Sequence, residues 1–170
     1  AKAGHGSTWF LGGESGVGKS RLLRELKTLA LVEGFQVLNG QAVAEGGSLY
    51  QIWRPLVNHL VLNTPLTDLE AAVLKEISPH LPQILNRTIP DALPLEGLAH
   101  QQRLISTIAS LLRRQTQPTF LVLEDLHWAE DSLEPLKLIL PSVKDQALLI
   151  IGSYRHDETP ELPNEFNAFG

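Results

Sequence analysis

The residues best suited to chemistry lie close to the start of the chain. Gly13 is followed after four residues by Gly18, Lys19 and Ser20, which is the spacing of a phosphate-binding loop. Glycines at 13, 16 and 18 permit the positive φ values with which successive backbone N–H groups turn toward an anion. Lys19 would then reach the β- and γ-phosphates of a nucleotide, and the Ser20 hydroxyl would hold Mg²⁺. The residues predicted to bind the nucleotide are Gly13, Glu14, Ser15, Gly16, Val17, Gly18, Lys19, Ser20 and Arg21.

The segments on either side of this loop are those that a phosphate-binding loop requires. A short β-prone apolar run, residues 8–11, precedes it, and leucines at helical spacing follow it over residues 21–33. A helix that begins near Gly18 would add its positive end to the same anion site. The alternative is an ordinary glycine-rich turn, but Lys-Ser directly at a helix start favours the phosphate loop.

A second group of chemically useful residues is the acidic pair Glu124 and Asp125. The pair follows a continuous apolar run over residues 119–123, which is typical of a strand buried on both faces of a parallel sheet. One carboxylate would coordinate Mg²⁺ and the other would orient or deprotonate the attacking water. Position favours Glu124 for the metal and residue type favours Asp125, so both assignments stay open. The alternative is that the pair only ends a strand and caps the next helix.

Arg155 is a further candidate catalytic residue. It follows the apolar run 147–153, which predicts a second buried strand. At the tip of that strand it would sense the γ-phosphate or a carboxylate of the active centre. The alternative is a surface arginine paired with Asp157 or Glu158.

The six histidines show no spacing typical of metal ligands, so no bound transition metal is predicted. His127 is predicted to be a loop residue or a residue that supports the site, and Trp128 a packing residue. The elements that must position the site follow from apolar periodicity. The predicted strands cover residues 8–11, 35–43, 119–123 and 147–153, and the predicted helices cover 21–33, 50–62, 67–78, 99–115 and 132–140.

Two stretches do not fit the alternation of predicted strands and helices. Residues 63–98 hold several prolines and predict a helical insertion within a core domain of residues 1–158. Its apolar residues are expected to cover the sheet, and the alternative is an inserted specificity element. Residues 159–170 predict a poorly ordered tail or a linker.

Composition limits the possible functions. A chain of 170 residues predicts one compact unit, and a formal net charge of -5 argues against a general nucleic-acid surface. There is no cysteine, no apolar run of membrane-spanning length and no signal peptide, so a cytoplasmic location without membrane association is expected. The absence of methionine suggests a piece of a longer polypeptide.

Three segments resemble a known family: residues 12–26, residues 121–133 with the run Leu-His-Trp-Ala-Glu-Asp, and residues 150–155. They are similar to the AAA-like, STAND-class predicted ATPases of LuxR-type transcriptional regulators, multidomain serine/threonine kinases and cyclase-associated proteins. The resemblance implies an α/β, three-layer P-loop NTPase fold of the ASCE type with a mostly parallel sheet. It implies that the phosphate-loop strand lies between the strands ending at Ser153 and, beyond it, at Glu124. It also implies that this chain is truncated before the helical lid.

The same resemblance implies roles for individual residues. Lys19 and Ser20 would carry the Walker A roles, Glu124 and Asp125 the Walker B roles, and Arg155 the sensor-1 role. The order Glu-Asp departs from the more usual Asp-Asp or Asp-Glu, and this departure bears on the rate of hydrolysis.

The leading hypothesis is therefore an ATPase with ATP and Mg²⁺ as its cofactors, slow in isolation, that acts as a nucleotide switch in a larger signalling or transcription regulator. Its expected partners are an adenine nucleotide and other domains of a longer chain, with no direct nucleic-acid binding and with oligomerisation possible. One alternative is a nucleotide-gated interaction module with little or no hydrolysis. Another is a small-molecule phosphotransferase that uses residues 63–98 as a substrate lid.

Overall fold

The computed structural model describes residues 4–44 and 50–167, with the side chains of residues 130, 131 and 167 left out. A four-stranded parallel sheet lies at its centre, in the order β1-β4-β3-β2. The strands are β1 (Ser7–Gly12), β2 (Gln36–Gln41), β3 (Thr119–Glu124) and β4 (Leu148–Tyr154). The helices are α1 (Lys19–Val32), α2 (Arg54–Asn63), α3 (Asp68–Leu74), α4 (Leu81–Ile84), α5 (Gly97–Arg113), α6 (Glu134–Val143) and α7 (Asn164–Asn167).

The order of the strands differs from the expectation in one respect. The phosphate-loop strand β1 does not lie between the other two strands; instead β4 lies between β1 and β3. The central positions go to the two continuous apolar runs, because those runs can be buried on both faces. The β1 strand carries Trp9, which is 63% exposed, and lies at one edge of the described sheet.

Helices on both faces of the sheet complete the predicted three-layer α/β fold. On one face α1 packs its only buried residue, Leu23, against Phe120 and Val122 of β3. On the other face α2, α5 and α6 form the larger core. Trp53, in the turn before α2, is fully buried there, and its indole N–H donates to the carbonyl of Ser132 at 2.6 Å.

The segment 63–98, for which the sequence predicts a helical insertion, contains the short helices α3 and α4. Thr67 begins α3 with a capping box, in which its hydroxyl accepts from the Glu70 N–H and the Glu70 carboxylate accepts from the Thr67 N–H. The predicted helix ends earlier than expected, at Leu74. The apolar residues of α3 and α4 pack chiefly against α5 and α2, so this segment covers helices more than it covers the sheet.

Residues 160–167 differ from the predicted poorly ordered tail, and residues 168–170 of that stretch lie outside the described residues. After residue 159 the chain returns to the core, where Leu162 and Phe166 are buried and the short helix α7 forms. The Phe166 ring stacks on Phe10 of β1, with ring centroids 4.8 Å apart. Two apolar residues in a stretch of low periodicity are enough to anchor it, because each aromatic or aliphatic side chain contributes a large buried area.

Across the described ranges, no helix combines the length and the apolar character that crossing a membrane requires.

Replacing Phe166 by alanine is expected to lower the free energy of unfolding by about 3 kcal/mol, because it removes a buried ring and leaves a cavity. Urea denaturation followed by circular dichroism measures the change. The control is Leu98→Ala, at a residue that is 75% exposed, with an expected effect below about 0.5 kcal/mol. Equal effects of the two substitutions would show that Phe166 is not part of the core.

Candidate functional site

The phosphate loop joins β1 to α1 at the carboxyl edge of the sheet. Gly16 and Gly18 have φ values of 80° and 104°, a region that glycine adopts without the steric cost of a Cβ. The α1 helix begins at Lys19, so its N-terminal amide groups and its positive dipole end lie at the loop. This is the strand–loop–helix arrangement that the sequence predicts for an anion site.

Lys19 folds back across the loop. Its Nζ donates to the carbonyl oxygens of Gly13 at 2.6 Å and Glu14 at 2.8 Å. Ser20 is exposed in the first turn of α1. Arg21 is engaged in an exposed ion pair with Glu25 one turn later, at 3.1 Å. The ammonium of Lys19 and the hydroxyl of Ser20 are therefore both presented by the start of one helix.

Close packing joins the ends of β1 and β4. Gly12 is paired with Tyr154, and a Cβ at position 12 would come within 2.6 Å of the Tyr154 hydroxyl. The β3 strand pairs with β4 on the other side, with Leu123 opposite Gly152. Neighbouring strands are about 4.8 Å apart, so the end of β1 and the end of β3 are about 10 Å apart. Within the described sheet, the end of β4 lies between the phosphate loop and the acidic pair.

The two adjacent carboxylates have different partners. The Oε1 atom of Glu124 accepts from Lys27 Nζ at 2.9 Å, and the Glu124 side chain is only 12% exposed. Asp125 leaves the strand with φ 60°, and its Oδ2 accepts from Gln41 Nε2 at 2.8 Å. The Asp125 N–H donates to the Ser153 hydroxyl at 3.3 Å. The pair therefore divides between a contact with α1 and contacts with the ends of β2 and β4.

Arg155 follows β4 directly and pairs with two carboxylates. It donates to Asp157 Oδ2 at 2.8 Å and forms a short ion pair with Glu158. The hydrogen bond from Arg155 is the main cause of a lowered pKa at Asp157, and the charge of Lys19 lowers that pKa further. The hydrogen bond with Asp157 is the main cause of a raised pKa at Arg155, and the charge of Asp125 raises that pKa further. Arg155, Asp157 and Glu158 thus form one ion-pair cluster, on which the charges of Lys19 and Asp125 act.

His127 is a buried member of this cluster. Within the part of the chain that the structure describes, neither ring nitrogen has a hydrogen-bond partner, and Nε2 lies 3.5 Å from Glu158 Oε2. Burial lowers the pKa of His127 below its usual value. The charges of Arg155 and Lys19 act in the same direction, whereas Glu158 and Asp125 oppose the shift. Burial and these two cations therefore favour the neutral form of the His127 imidazole.

Three residues of the site are absent from the sequence-based prediction. Lys27 lies seven residues after Ser20, which places both on one face of α1, and this spacing is the available signal. Gln41 ends β2, next to the end of β3, and Ser153 lies in β4 beside Asp125. Polar residues at the ends of parallel strands are the signal for these two, once the strand order is known.

A nucleoside triphosphate and Mg²⁺ fit the residues at this edge. The loop turns through two positive-φ glycines and ends in a helix N-terminus, which suits phosphate oxygens. The exposed hydroxyl of Ser20 and the carboxylate of Asp125 are oxygen ligands of the kind that Mg²⁺ accepts, together with phosphates and waters.

The family model described as "AAA ATPase domain" matches residues 1–151. Among solved structures, the chain is similar to a chain of the Drosophila ORC complex bound to GC-rich DNA and Cdc6, with 15% identity and a TM-score of 0.47. That match covers 97% of this chain and 48% of the other, so the chain spans about half the length of that protein. No curated protein matches the sequence.

The pH dependence of stability is expected to reveal the buried His127. Because the folded state lowers the pKa of His127, its contribution is fully present above about pH 6.5 and is lost as the pH falls through the lowered value. Unfolding in urea at about pH 7.5 and about pH 5 should therefore show a larger loss of stability for the wild type than for His127→Gln, which does not titrate. Asp157 titrates below this window, since its pKa is lowered from 3.8. Parallel pH profiles for the two proteins would contradict the burial of a neutral imidazole.

Proposed function

Because the chain belongs to the AAA ATPase domain family, we propose that it binds ATP with Mg²⁺ at residues 13–20 and hydrolyses it to ADP and phosphate. One observation carries the proposal. The glycine loop with Lys19 and the carboxylate of Asp125 lie at the same edge of the sheet, separated by the end of β4. Nucleotide hydrolysis needs these two elements together, a cradle for phosphates and an acid for metal and water.

In this proposal the phosphates lie against the backbone N–H groups of the loop and the start of α1. Lys19 exchanges its carbonyl partners in the loop for phosphate oxygens, a stronger acceptor for an ammonium. Ser20 and a carboxylate of the acidic pair hold Mg²⁺, which neutralises charge on the phosphates when it is bound.

Hydrolysis requires a water held in line with the γ-phosphate. A carboxylate of the acidic pair orients this water, whose oxygen bonds to the γ-phosphorus as the bond to the bridging oxygen breaks. The proton passes to the carboxylate or to phosphate, and ADP and inorganic phosphate are the products. Arg155 would reach the γ-phosphate only by giving up its pairing with Asp157 and Glu158, and that exchange is the form its sensor role takes here.

We further infer that the domain acts as a nucleotide-dependent switch for other domains of a longer chain. The support is local: a single helical turn, Leu126–Trp128, follows the acidic pair directly and carries the buried His127. A change in the contacts of Asp125 would be passed to this turn. Signalling or transcription regulation as the output, oligomerisation and a cytoplasmic location stay predictions from the sequence.

A second candidate function, a nucleotide-gated module with little hydrolysis, is favoured by one observation. The Oε1 atom of Glu124 is already held by Lys27, so one of the two carboxylates expected to serve metal and water is engaged elsewhere. Nothing comparable favours a phosphotransferase, because the apolar residues of segment 63–98 are buried against α2 and α5, which supports a structural role.

Replacing Lys19 by alanine is expected to weaken ATP binding about 30-fold, because one charge-assisted hydrogen bond to a phosphate contributes about 2 kcal/mol. Isothermal titration calorimetry with ATP and Mg²⁺ measures the affinity. Lys144→Ala removes an exposed lysine at the end of α6 and serves as the control, with unchanged affinity. ATP binding by Lys19→Ala within twofold of the wild type would overturn the proposed site.

Replacing Asp125 by asparagine is expected to lower the rate of phosphate release about 100-fold or more, because an acid that serves metal and water is lost, and to weaken ATP binding in the presence of Mg²⁺ about tenfold. The exposed Asp145→Asn is the matched control, with an unchanged rate. A coupled phosphate assay gives the rates. Tight ATP binding by the wild type with no phosphate release above background would favour the second candidate function instead.

A further inference from the structure

We propose that Lys27 keeps Glu124 out of metal coordination, so that Asp125 is the carboxylate of the acidic pair that serves Mg²⁺. This inference rests on the proposed function and divides the roles of the two acids. Lys27 is then a positioning residue, which acts through Glu124 and touches neither nucleotide nor metal.

The Glu124 carboxylate is held by a lysine of α1. Lys27 Nζ, on α1, donates to Glu124 Oε1 at 2.9 Å and to Asn39 Oδ1 of β2 at 3.0 Å. The side chains of Lys27 and Glu124 are only 25% and 12% exposed. Three elements, α1, β2 and β3, therefore build a half-buried cage in which one ammonium faces one carboxylate.

Moving the Glu124 carboxylate out of this cage has an energetic cost. A carboxylate that turned to a cation would leave the half-buried ammonium of Lys27 with only the Asn39 carbonyl of those two acceptors. Separating a partly buried ion pair carries a penalty, because water is not free to replace the lost partner. A dication would also have to approach the positive charge of Lys27. Both effects lower the affinity of Glu124 for Mg²⁺.

Asp125 has different surroundings from Glu124. The positive φ of 60° turns the chain away from the strand direction, so two neighbouring carboxylates meet different partners. Asp125 acts electrostatically on His127 and Arg155, and Lys19 acts on His127 as well. Its hydrogen bond from Gln41 is made by a neutral amide, which leaves the negative charge of Asp125 available to a cation. Asp125 is thus the acid of the pair whose side chain accepts from a neutral donor and not from an ammonium in the described contacts.

The test measures metal affinity in the presence of a non-hydrolysable ATP analogue, with Mn²⁺ as the probe and electron paramagnetic resonance as the readout. Lys27→Met removes the ammonium at similar length and frees Glu124, so Mn²⁺ should bind about three- to tenfold more tightly, as one more carboxylate ligand becomes available. The double variant Lys27→Met/Glu124→Gln should return the affinity to that of the wild type. Lys27→Arg keeps a cation in the cage and is the control.

Two single variants complete the design and keep it decisive if Lys27→Met folds poorly. Glu124→Gln retains an acceptor for Lys27 and should change Mn²⁺ affinity less than about twofold, whereas Asp125→Asn should weaken it about tenfold or more. Weakening by Glu124→Gln as large as that by Asp125→Asn would overturn the inference, as would unchanged affinity in a folded Lys27→Met. If the wild type binds neither the ATP analogue nor Mn²⁺ with it, the proposed function itself fails. If the wild type binds both and a variant gives one of the overturning results, only the division of roles between Glu124 and Asp125 fails.

Discussion

The carboxyl ends of β1, β4 and β3 lie side by side because all three strands run parallel and are paired without a break, with Leu11 opposite Ser153 and Leu123 opposite Gly152. Everything at the site depends on this alignment. It places the phosphate loop, Arg155 and the acidic pair at one edge, although more than one hundred residues separate the first from the last. Parallel strands require long crossover connections, and here the helices in those connections also bury the two faces of the sheet.

Much of this arrangement could be predicted from the sequence because its signals are local. Glycine spacing before Lys19, apolar runs for β3 and β4, and leucines at helical spacing in α1 each have a direct physical meaning. The order of strands could not be derived in the same way, since β1 is apolar enough for an inner or an edge position. The contact of Phe166 with Phe10 could not be predicted either, because one aromatic residue in an irregular stretch carries no periodic signal.

The roles of the two acids, Glu124 and Asp125, could not be predicted from the local sequence. The residues of the pair are consecutive, and their order alone leaves open which one serves the metal. The partner of Glu124 is Lys27, 97 positions earlier in the chain, and the partner of Asp125 is Gln41, 84 positions earlier. Only the packing of α1 and β2 against β3 brings these partners into contact. The Glu124 carboxylate accepts from an ammonium and the Asp125 carboxylate accepts from a neutral amide, and this difference is a property of the fold.

Hydrogen–deuterium exchange with and without ATP and Mg²⁺ tests the central claim most directly, because it follows both halves of the site at once. The account predicts that amides of residues 12–21 and of residues 124–128 exchange more slowly together when the nucleotide is added. Unchanged exchange in both segments would contradict it. So would slowing confined to residues 61–66, which line a separate depression of about 450 Å³.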